Sequence, residues 1–484
     1  MKKKVFVLYD DRIRPNEKIA QVAGNKSYGN IIFKQKTIQR RLEKVLEEKD
    51  YILKFYPFSE EEKREEDIRE VLSAVQSASV VYLYSSFGIL DSKMFGFLLD
   101  KAQFLNQSKK AVMNRRTAAL LFSDTEEFRE WIKKGSNPEG SEEMEALPGE
   151  HMFVDLSSFD DFIRYITSGF DARFFNTLEG DQYTVTKRSS NRKKIKSEYQ
   201  FYYFLPEEMQ HWFVQPYSYG ESDETAFYTM ERMHMTDLAI QFVHGAISAE
   251  DLDQILRQLF YFLSTRCTRK ISKEEYEQQS EQLYLTKVLR RLEELKKSPY
   301  YEKMNRMIGV GTSYRDIEAV FSHYKDLYMQ VHVRYNFEAL STVSHGDLCF
   351  SNILYQRHAN ILRMIDPKGA EKESDIWMDP WYDLAKLSHS ICGRYDFFNS
   401  GLYQVKIGED LKLQLQIDFE NQAYVEVFQK YLEEHQFSYP VVRLYEASLF
   451  LSMLPLHMDN PQKVFGFLLN GINILQEVER CLKE

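Results

Sequence analysis

The chain has 484 residues, 43% hydrophobic and 14% aromatic, including 31 Tyr and 34 Phe, enough for two or three structural units of roughly 150 residues each that bury large rings without help from disulfides or metals. Its 63 Lys and Arg against 73 Asp and Glu give a net charge of −10, which argues against nucleic acid as a partner but leaves room for a local basic pocket. The four cysteines, Cys267, Cys349, Cys392 and Cys481, form no CxxC pair and fit a reduced, cytoplasmic protein, while the apolar run Val5 to Tyr9 stops at Asp10 and Asp11, too short for a signal core or a transmembrane segment.

Val5 to Tyr9 reads as a short buried strand that ends in a polar turn of Asp10, Asp11 and Arg12. A helix is expected over Thr37 to Glu48, a strand over Tyr51 to Tyr56, an acidic helix over Glu60 to Gln76 and an apolar strand over Ser79 to Tyr84. A helix over Ser92 to Leu105 follows, with Asp91 read as its N-cap in preference to a metal ligand. Two short strands, Lys110 to Asn114 and Ala118 to Phe122, complete the pattern. Strands alternating with helices predict an α/β domain built on a parallel sheet, here residues 1–134. Residues 135–150 are rich in Gly, Ser, Pro and Glu and predict a linker, so that a second domain spans 151–484. It turns mainly helical after Ser248, where Ser248 and Asp251 suit a capping box.

The segment Ser344 to Gly369, SHGDLCFSNILYQRHANILRMIDPKG, places Asp347 in a turn, Asn352 five residues later, and Asp366 just beyond the apolar run Ile361 to Ile365. Phosphoryl transfer needs that set: a carboxylate to orient and accept the proton of an incoming hydroxyl, and oxygen ligands to hold magnesium against nucleotide phosphates. Asp347 suits the first task, Asn352 and Asp366 the second. A lone His-Gly-Asp is ordinary turn chemistry; the conjunction with Asn352, Asp366 and the later run Asp379 to Ala385, DPWYDLA, makes it informative. His345 reads as a group that holds the loop backbone.

His345, Gly346, Asp347, Asn352 and Asp366 resemble the HGDxxxxN-plus-Asp signature of kinases of the aminoglycoside phosphotransferase and choline kinase type, and the DPWYDLA run extends the likeness. The resemblance implies an α+β, two-lobed, protein-kinase-like fold over 151–484, with an N-terminal lobe at about 165–235 and a C-terminal lobe at about 236–484, ATP and Mg2+ as cofactors, and a small-molecule hydroxyl acceptor. It also implies that Asp383 supports the catalytic loop. An N-terminal lobe of this kind places a Lys on a strand before an acidic residue on a helix. Gln182 to Lys187 alternates as a strand, and Glu198 lies in a helical pattern over Lys194 to Leu205, so Lys187 and Glu198 are the expected ion pair, chosen over Arg188, Lys193, Lys194 and Lys196. Phe227 to Met233 reads as the strand leading to a hinge, with Glu231 to Met233 facing the adenine. The turn Asn176 to Asp181 carries a single glycine, so no GxGxxG phosphate loop is present and the choice between ATP and GTP stays open.

The spelling HGDLCFSNIL, the nearby IDPKG and the union with an α/β half resemble capsular polysaccharide biosynthesis proteins, in which the first half is similar to a sugar nucleotidyltransferase. An active enzyme of that kind needs a glycine-rich loop after its first strand, because backbone amides must approach phosphates closely. Asp10-Asp11-Arg12 stands there instead, so the first domain is read as Rossmann-like, nucleotidyltransferase-like and degenerate. The whole reads as a kinase acting on a sugar, polyol or amino alcohol for a cell-surface polysaccharide, with polysaccharide-assembly proteins as possible partners. The alternatives are a nucleotide-binding scaffold and an antibiotic phosphotransferase. Among the aromatics near the site, Trp377, Trp381, Tyr382, Tyr395, Phe397 and Phe398 are read as core first and as acceptor lining second.

Overall fold

The structure, a computed structural model, describes residues 2–33, 35–73, 78–136, 143–167, 176–181 and 183–483. It divides into two compact units, Met1–Asp171 with His244–Ala246, and Ala172–Val243 with Ile247–Glu484.

In the first unit β1 (Lys4–Asp10), α1 (Glu17–Ala23), the two-residue strands β2 (Ile32–Phe33) and β3 (Lys36–Thr37), α2 (Ile38–Glu47), β4 (Ile52–Phe58), α3 (Glu61–Ser73) and β5 (Ala78–Tyr84) are followed by β6 (Phe87–Ile89) and α4 (Ser92–Ala102). Then come β7 (Lys109–Met113), β8 (Arg116–Phe122), α5 (Thr125–Lys133), β9 (Glu145–Pro148), β10 (Phe153–Asp155) and α6 (Phe159–Thr167). Six strands make one sheet in the order β4-β1-β5-β8-β7-β9. The neighbouring strands β1 and β5 run parallel and are apolar on both faces, with Val5, Val7, Leu8, Val80 and Val81 fully buried, as strands covered by helices on both sides require. Asp91 caps α4 by accepting from the amides of Lys93 and Met94.

Two expectations are corrected here. The sheet is mixed: β8 runs antiparallel to both β5 and β7. Asn114 and Arg115 both take positive φ, 50° and 64°, the two-residue turn whose twist suits a hairpin, so the chain reverses and β8 lies between β5 and β7. The second correction is the boundary. Part of the expected linker is β9, paired in parallel with β7, and β10 pairs with β6, so the first unit continues to Asp171. Four residues ending in Pro148 on a sheet edge leave no alternating pattern to read, and a proline is tolerated on an edge strand because its missing N–H can face away from the sheet. Residues 137–142 of that stretch, and 74–76 of the helix expected over 60–76, lie outside the described residues.

The second unit opens with a four-stranded antiparallel sheet in the order β11-β12-β14-β13. Its elements are β11 (Asn176–Gly180), β12 (Thr184–Ser189), α7 (Arg192–Phe204), α8 (Glu207–Gln210), β13 (Pro216–Glu221) and β14 (Ala226–Glu231). α7 turns Ile195, Glu198 and Phe201 inward, and Ile195 packs with Ala226 and Tyr228 of β14. The larger part is mainly helical: β15 (Thr236–Asp237), α9 (Leu238–Val243), α10 (Ala249–Thr265), β16 (Thr268–Lys270), α11 (Lys273–Ser280), α12 (Lys287–Lys296), α13 (Tyr301–Gly311) and α14 (Ile317–Arg334). β17 (Leu340–Val343), β18 (Ile353–Gln356), β19 (Ile361–Met364), β20 (Trp377–Met378) and α15 (Tyr382–Ile391) then frame the site. The capping box of Ser248 and Asp251 starts α10. The later helix Tyr439–Met453 is buried nearly all round, from Val441 to Ser452, and forms the centre of the helical part. A small sheet-and-helix lobe thus precedes a larger helical lobe within this unit.

Candidate active site

β17 delivers Ser344 to Asp347 into a loop whose backbone is held from below. Asp383, in the first turn of α15, accepts the amides of His345 (3.0 Å) and Gly346 (2.9 Å), and the buried Arg266 donates to the same carboxylate at 3.1 Å. Gly346 takes φ 75°, and a Cβ there would meet the Lys368 side chain at 2.7 Å, so the turn needs glycine on both counts. His345 is fully buried. Its Nδ1 accepts the Asp347 amide at 3.1 Å and its Nε2 donates to the Ile365 carbonyl at 2.9 Å. Burial lowers its pKa, and a neutral ring with both nitrogens engaged serves to hold the loop.

Asn352 donates its amide nitrogen to the Asp347 carbonyl at 2.8 Å, which keeps its amide oxygen for another partner. The hairpin of β18 and β19 returns the chain so that the Ile365 amide donates to the Asn352 carbonyl at 3.0 Å. Asp366 follows with φ 53° and a carboxylate 38% exposed, within reach of a ligand. Among the described residues no group of three or more His, Cys, Asp or Glu is placed to hold a metal. Magnesium does not need one, since one or two carboxylates plus phosphates commonly hold it, and the Asn352 and Asp366 oxygens fit that pattern.

The ion pair expected in the small lobe is present. Lys187 on β12 meets Glu198 on α7 at 2.7 Å and Asp366 at 2.9 Å, and Tyr228 on β14 donates to Glu198 at 3.2 Å. Burial works against the ammonium of Lys187, but Asp366 and Glu198 outweigh it and its pKa stands above the ordinary value. The lobes close on each other here through backbone: the Ala370 amide donates to the Ser197 carbonyl at 2.9 Å, beside Gly369 at φ 90°, where a Cβ would lie 2.5 Å from Ser197 Oγ.

Glu231 and Met233 are not drawn into this cluster. Glu231 ends β14 opposite Thr184 and is exposed, and Met233 lies in the connection to β15. The expected turn over Asn176 to Asp181 is corrected: residues up to Gly180 pair with β12, and the reversal falls at Asp181, whose carboxylate accepts the amides of Tyr183 and Thr184 at 2.7 Å each. Gln182 lies outside the described residues. Of the six aromatics, Tyr382, Phe397 and Phe398 are buried. Tyr395 stacks on His389 at 4.1 Å, Trp381 meets Phe437 edge-on at 4.9 Å, and Trp377 lies under the Arg269 guanidinium at 4.5 Å.

One charged neighbour of Asp347 escaped the sequence reading. Lys386, on α15, places Nζ 2.8 Å from Asp347 Oδ1. Burial pushes the Asp347 carboxyl up, but Lys386, with smaller help from His345 and His389, brings it down to about 2. Lys386 itself is raised, because Asp347 outweighs the burial that opposes its charge. The signal was its place three residues after Asp383, which puts both on one helix face.

No protein-family model matches the sequence, and no curated protein does. Among solved structures, the chain is similar to the GDP complex of aminoglycoside 2'-phosphotransferase-IIIa, at 13% identity and TM-score 0.37 over 64% of this chain and 91% of that one. It is also similar to aminoglycoside phosphotransferase APH(4)-Ia with AMP-PNP and hygromycin B, at 13% identity and TM-score 0.37 over 63% and 93%. A third is the Plasmodium vivax ethanolamine kinase, at 14% identity and TM-score 0.32 over 64% and 80%. At these identities and scores the likenesses are descriptive and carry no weight for the chemistry. What stands on geometry is a cluster in one unit that joins Lys187, Glu198, Asp366, Asn352, His345, Asp347 and Lys386.

Proposed function

We propose that the second unit is a Mg2+- and ATP-dependent phosphotransferase that acts on a hydroxyl of a small molecule, a sugar, polyol or amino alcohol. The observation that carries this reading is the ionised, partly exposed carboxylate of Asp347, 41% accessible and paired with Lys386 at 2.8 Å, on a loop fixed independently by Asp383, His345 and Asn352. Such a carboxylate orients an acceptor hydroxyl and takes its proton as the oxygen bonds to phosphorus. Lys187, steadied by Glu198, grips the nucleotide phosphates. Asn352 and Asp366 hold the magnesium, which when bound neutralises phosphate charge. His345 positions the loop. The connection from Glu231 to Met233 receives the base of the nucleotide.

The first unit is read as a nucleotidyltransferase-like domain that has lost nucleotidyl transfer. In support, the turn after β1 turns carboxylates inward where amides are needed: Asp10 accepts from Arg12 and Tyr82 at 2.7 Å, and Asp11 accepts from Ser27 at 2.5 Å and the Gly29 amide at 2.8 Å. Joined to a kinase, such a domain suits the making of a cell-surface polysaccharide in the cytoplasm, alongside assembly proteins. No helix among the described residues is long and apolar enough to cross a membrane.

Asp347→Ala tests the reading. ADP release from Mg·ATP in the presence of mixed sugars, polyols and amino alcohols should fall by ~10³-fold while ATP affinity is kept. A nucleotide-binding scaffold requires instead that wild type and variant release ADP equally slowly.

A further inference from the structure

We infer that Lys386 is a catalytic residue: its ammonium moves from Asp347 to the phosphoryl group in flight. This assignment rests on the phosphotransferase reading above.

Phosphoryl transfer spreads negative charge over three equatorial oxygens, and cations aimed at that charge supply much of the rate. The loop that carries Asp347 brings none, since Leu348, Cys349, Phe350 and Ser351 separate it from Asn352. Lys187 is already assigned to the nucleotide phosphates and lies between Glu198 and Asp366, away from Asp347. Lys368, the next lysine along, points its Nζ at Met378 Sδ, 3.9 Å away. That leaves Lys386, whose Nζ touches the very carboxylate that receives the acceptor hydroxyl.

A purely structural role does not account for it. The backbone of Asp347 is already fixed by its amide on His345 and its carbonyl on Asn352. Lys386 meets the Asp347 carboxylate and lies over the Tyr382 ring, its Nζ 5.9 Å from the ring centroid. The ion pair is open on the Asp347 side, with the Lys386 side chain 14% exposed, so an anion arriving beside Asp347 meets the ammonium directly. An ammonium is a compact point charge on a flexible stem and exchanges one anionic partner for another without a fixed fork geometry.

The exchange couples the two halves of the reaction. While Lys386 rests on Asp347 at 2.8 Å, its ammonium occupies the carboxylate that is to receive the proton. The acceptor oxygen forms its bond to phosphorus, the bond from phosphorus to the bridging oxygen of the departing nucleoside diphosphate breaks, and the hydroxyl proton passes to Asp347. As Lys386 follows the phosphoryl oxygens, it keeps its own protons and frees Asp347 to accept the one that is leaving. α15 thus holds the loop with Asp383 and charges the site with Lys386 from one face.

The test uses the full chain and two probes, Mg·ATP and Mg·ADP with aluminium fluoride, the latter a mimic of the phosphoryl group in transfer, with binding measured for wild type, Lys386→Met and Lys386→Arg. The expected result is a loss of about 10²-fold for the fluoride complex in Lys386→Met, with ATP affinity unchanged and part of the loss recovered in Lys386→Arg. Unchanged ATP affinity also reports an intact fold. If Lys386→Met binds both probes as wild type does, the assignment fails and the kinase reading stands. If wild type binds neither probe, both fall together.

Discussion

Asp347 carries its charge in a place where burial alone pushes the carboxyl toward its neutral form, and Lys386 is what reverses the sign. A carboxyl with a depressed pKa is ionised at every pH above it, so between pH 5 and 8 Asp347 does not titrate. Turnover limited by this group is then flat across that window, and Lys386→Met, by removing the main depressing charge, brings an acid limb into view; a pH–rate profile of the two proteins checks this. Glu198→Gln removes one of two carboxylates from Lys187. A charge-assisted hydrogen bond is worth about 1.5–3 kcal/mol, so Mg·ATP affinity should fall by about 10- to 10²-fold, read by calorimetry. That Asp347 sits in a turn with Asn352 against it, and Asp366 just beyond a strand, was legible in the sequence because their spacing is read against an apolar run. Lys187 was separable from its cationic neighbours by strand alternation, and its side chain is buried against Glu198. Lys386 was not legible: a lysine on a helix acquires meaning only when the face it shares with Asp383 is seen beneath the loop.

At the scale of elements, the end of α10 and the first turn of α15 place the site through Arg266 and Asp383, side chains 2% and 0% exposed. Breaking a buried ion pair leaves an uncompensated charge, at a cost of about 3–5 kcal/mol. Arg266→Met should therefore lower the free energy of unfolding by that amount, bring down the midpoint of chemical unfolding, and cut activity as well, because Asp383 loses the partner that holds it under His345 and Gly346. Denaturant titration with a parallel activity assay separates this from a defect in chemistry alone. Elements with strong periodicity, such as β5 and α4, were readable because two faces of helix cover demand a continuous apolar strand. The β7–β8 hairpin was not, since its reversal depends on two residues other than glycine at positive φ, Asn114 and Arg115. The site turn between β11 and β12 moved for a related reason: strand pairing with β12 outweighs the loop-like composition of Asn176 to Gly180.

Across the whole molecule, buried titratable groups of two kinds shape the response to pH: burial lowers the pKa of His345 and His389 and raises that of several carboxyls. Asp379 and Asp396 are each 2% exposed, and burial raises them to about 6 and about 7. A carboxyl whose folded pKa is raised holds its proton more tightly in the folded state. Its contribution is present in full below the unfolded value near 4 and is lost as pH rises to the folded value, at up to roughly 1.4 kcal/mol per unit for each group. Asp396→Asn removes one of the contributions that fall as pH rises, so the stability of the variant at pH 7 relative to pH 4.5 should exceed that of wild type, as thermal melts across the range will show. The division of the chain was partly legible, because a shift to Gly, Ser and Pro marks a break in periodicity. That shift did not reveal that β9 and β10 return to the first unit through backbone pairing, which composition does not encode.

The central claim is that Asp366 and a divalent ion together hold the nucleotide in the second unit. Calorimetry of ATP binding with and without Mg2+, on wild type and Asp366→Ala, tests it most directly. The account predicts tight binding only when both the metal and Asp366 are present, with a loss of at least ~10-fold when either is removed. Binding indifferent to both would contradict it and leave the chain without a phosphotransfer site.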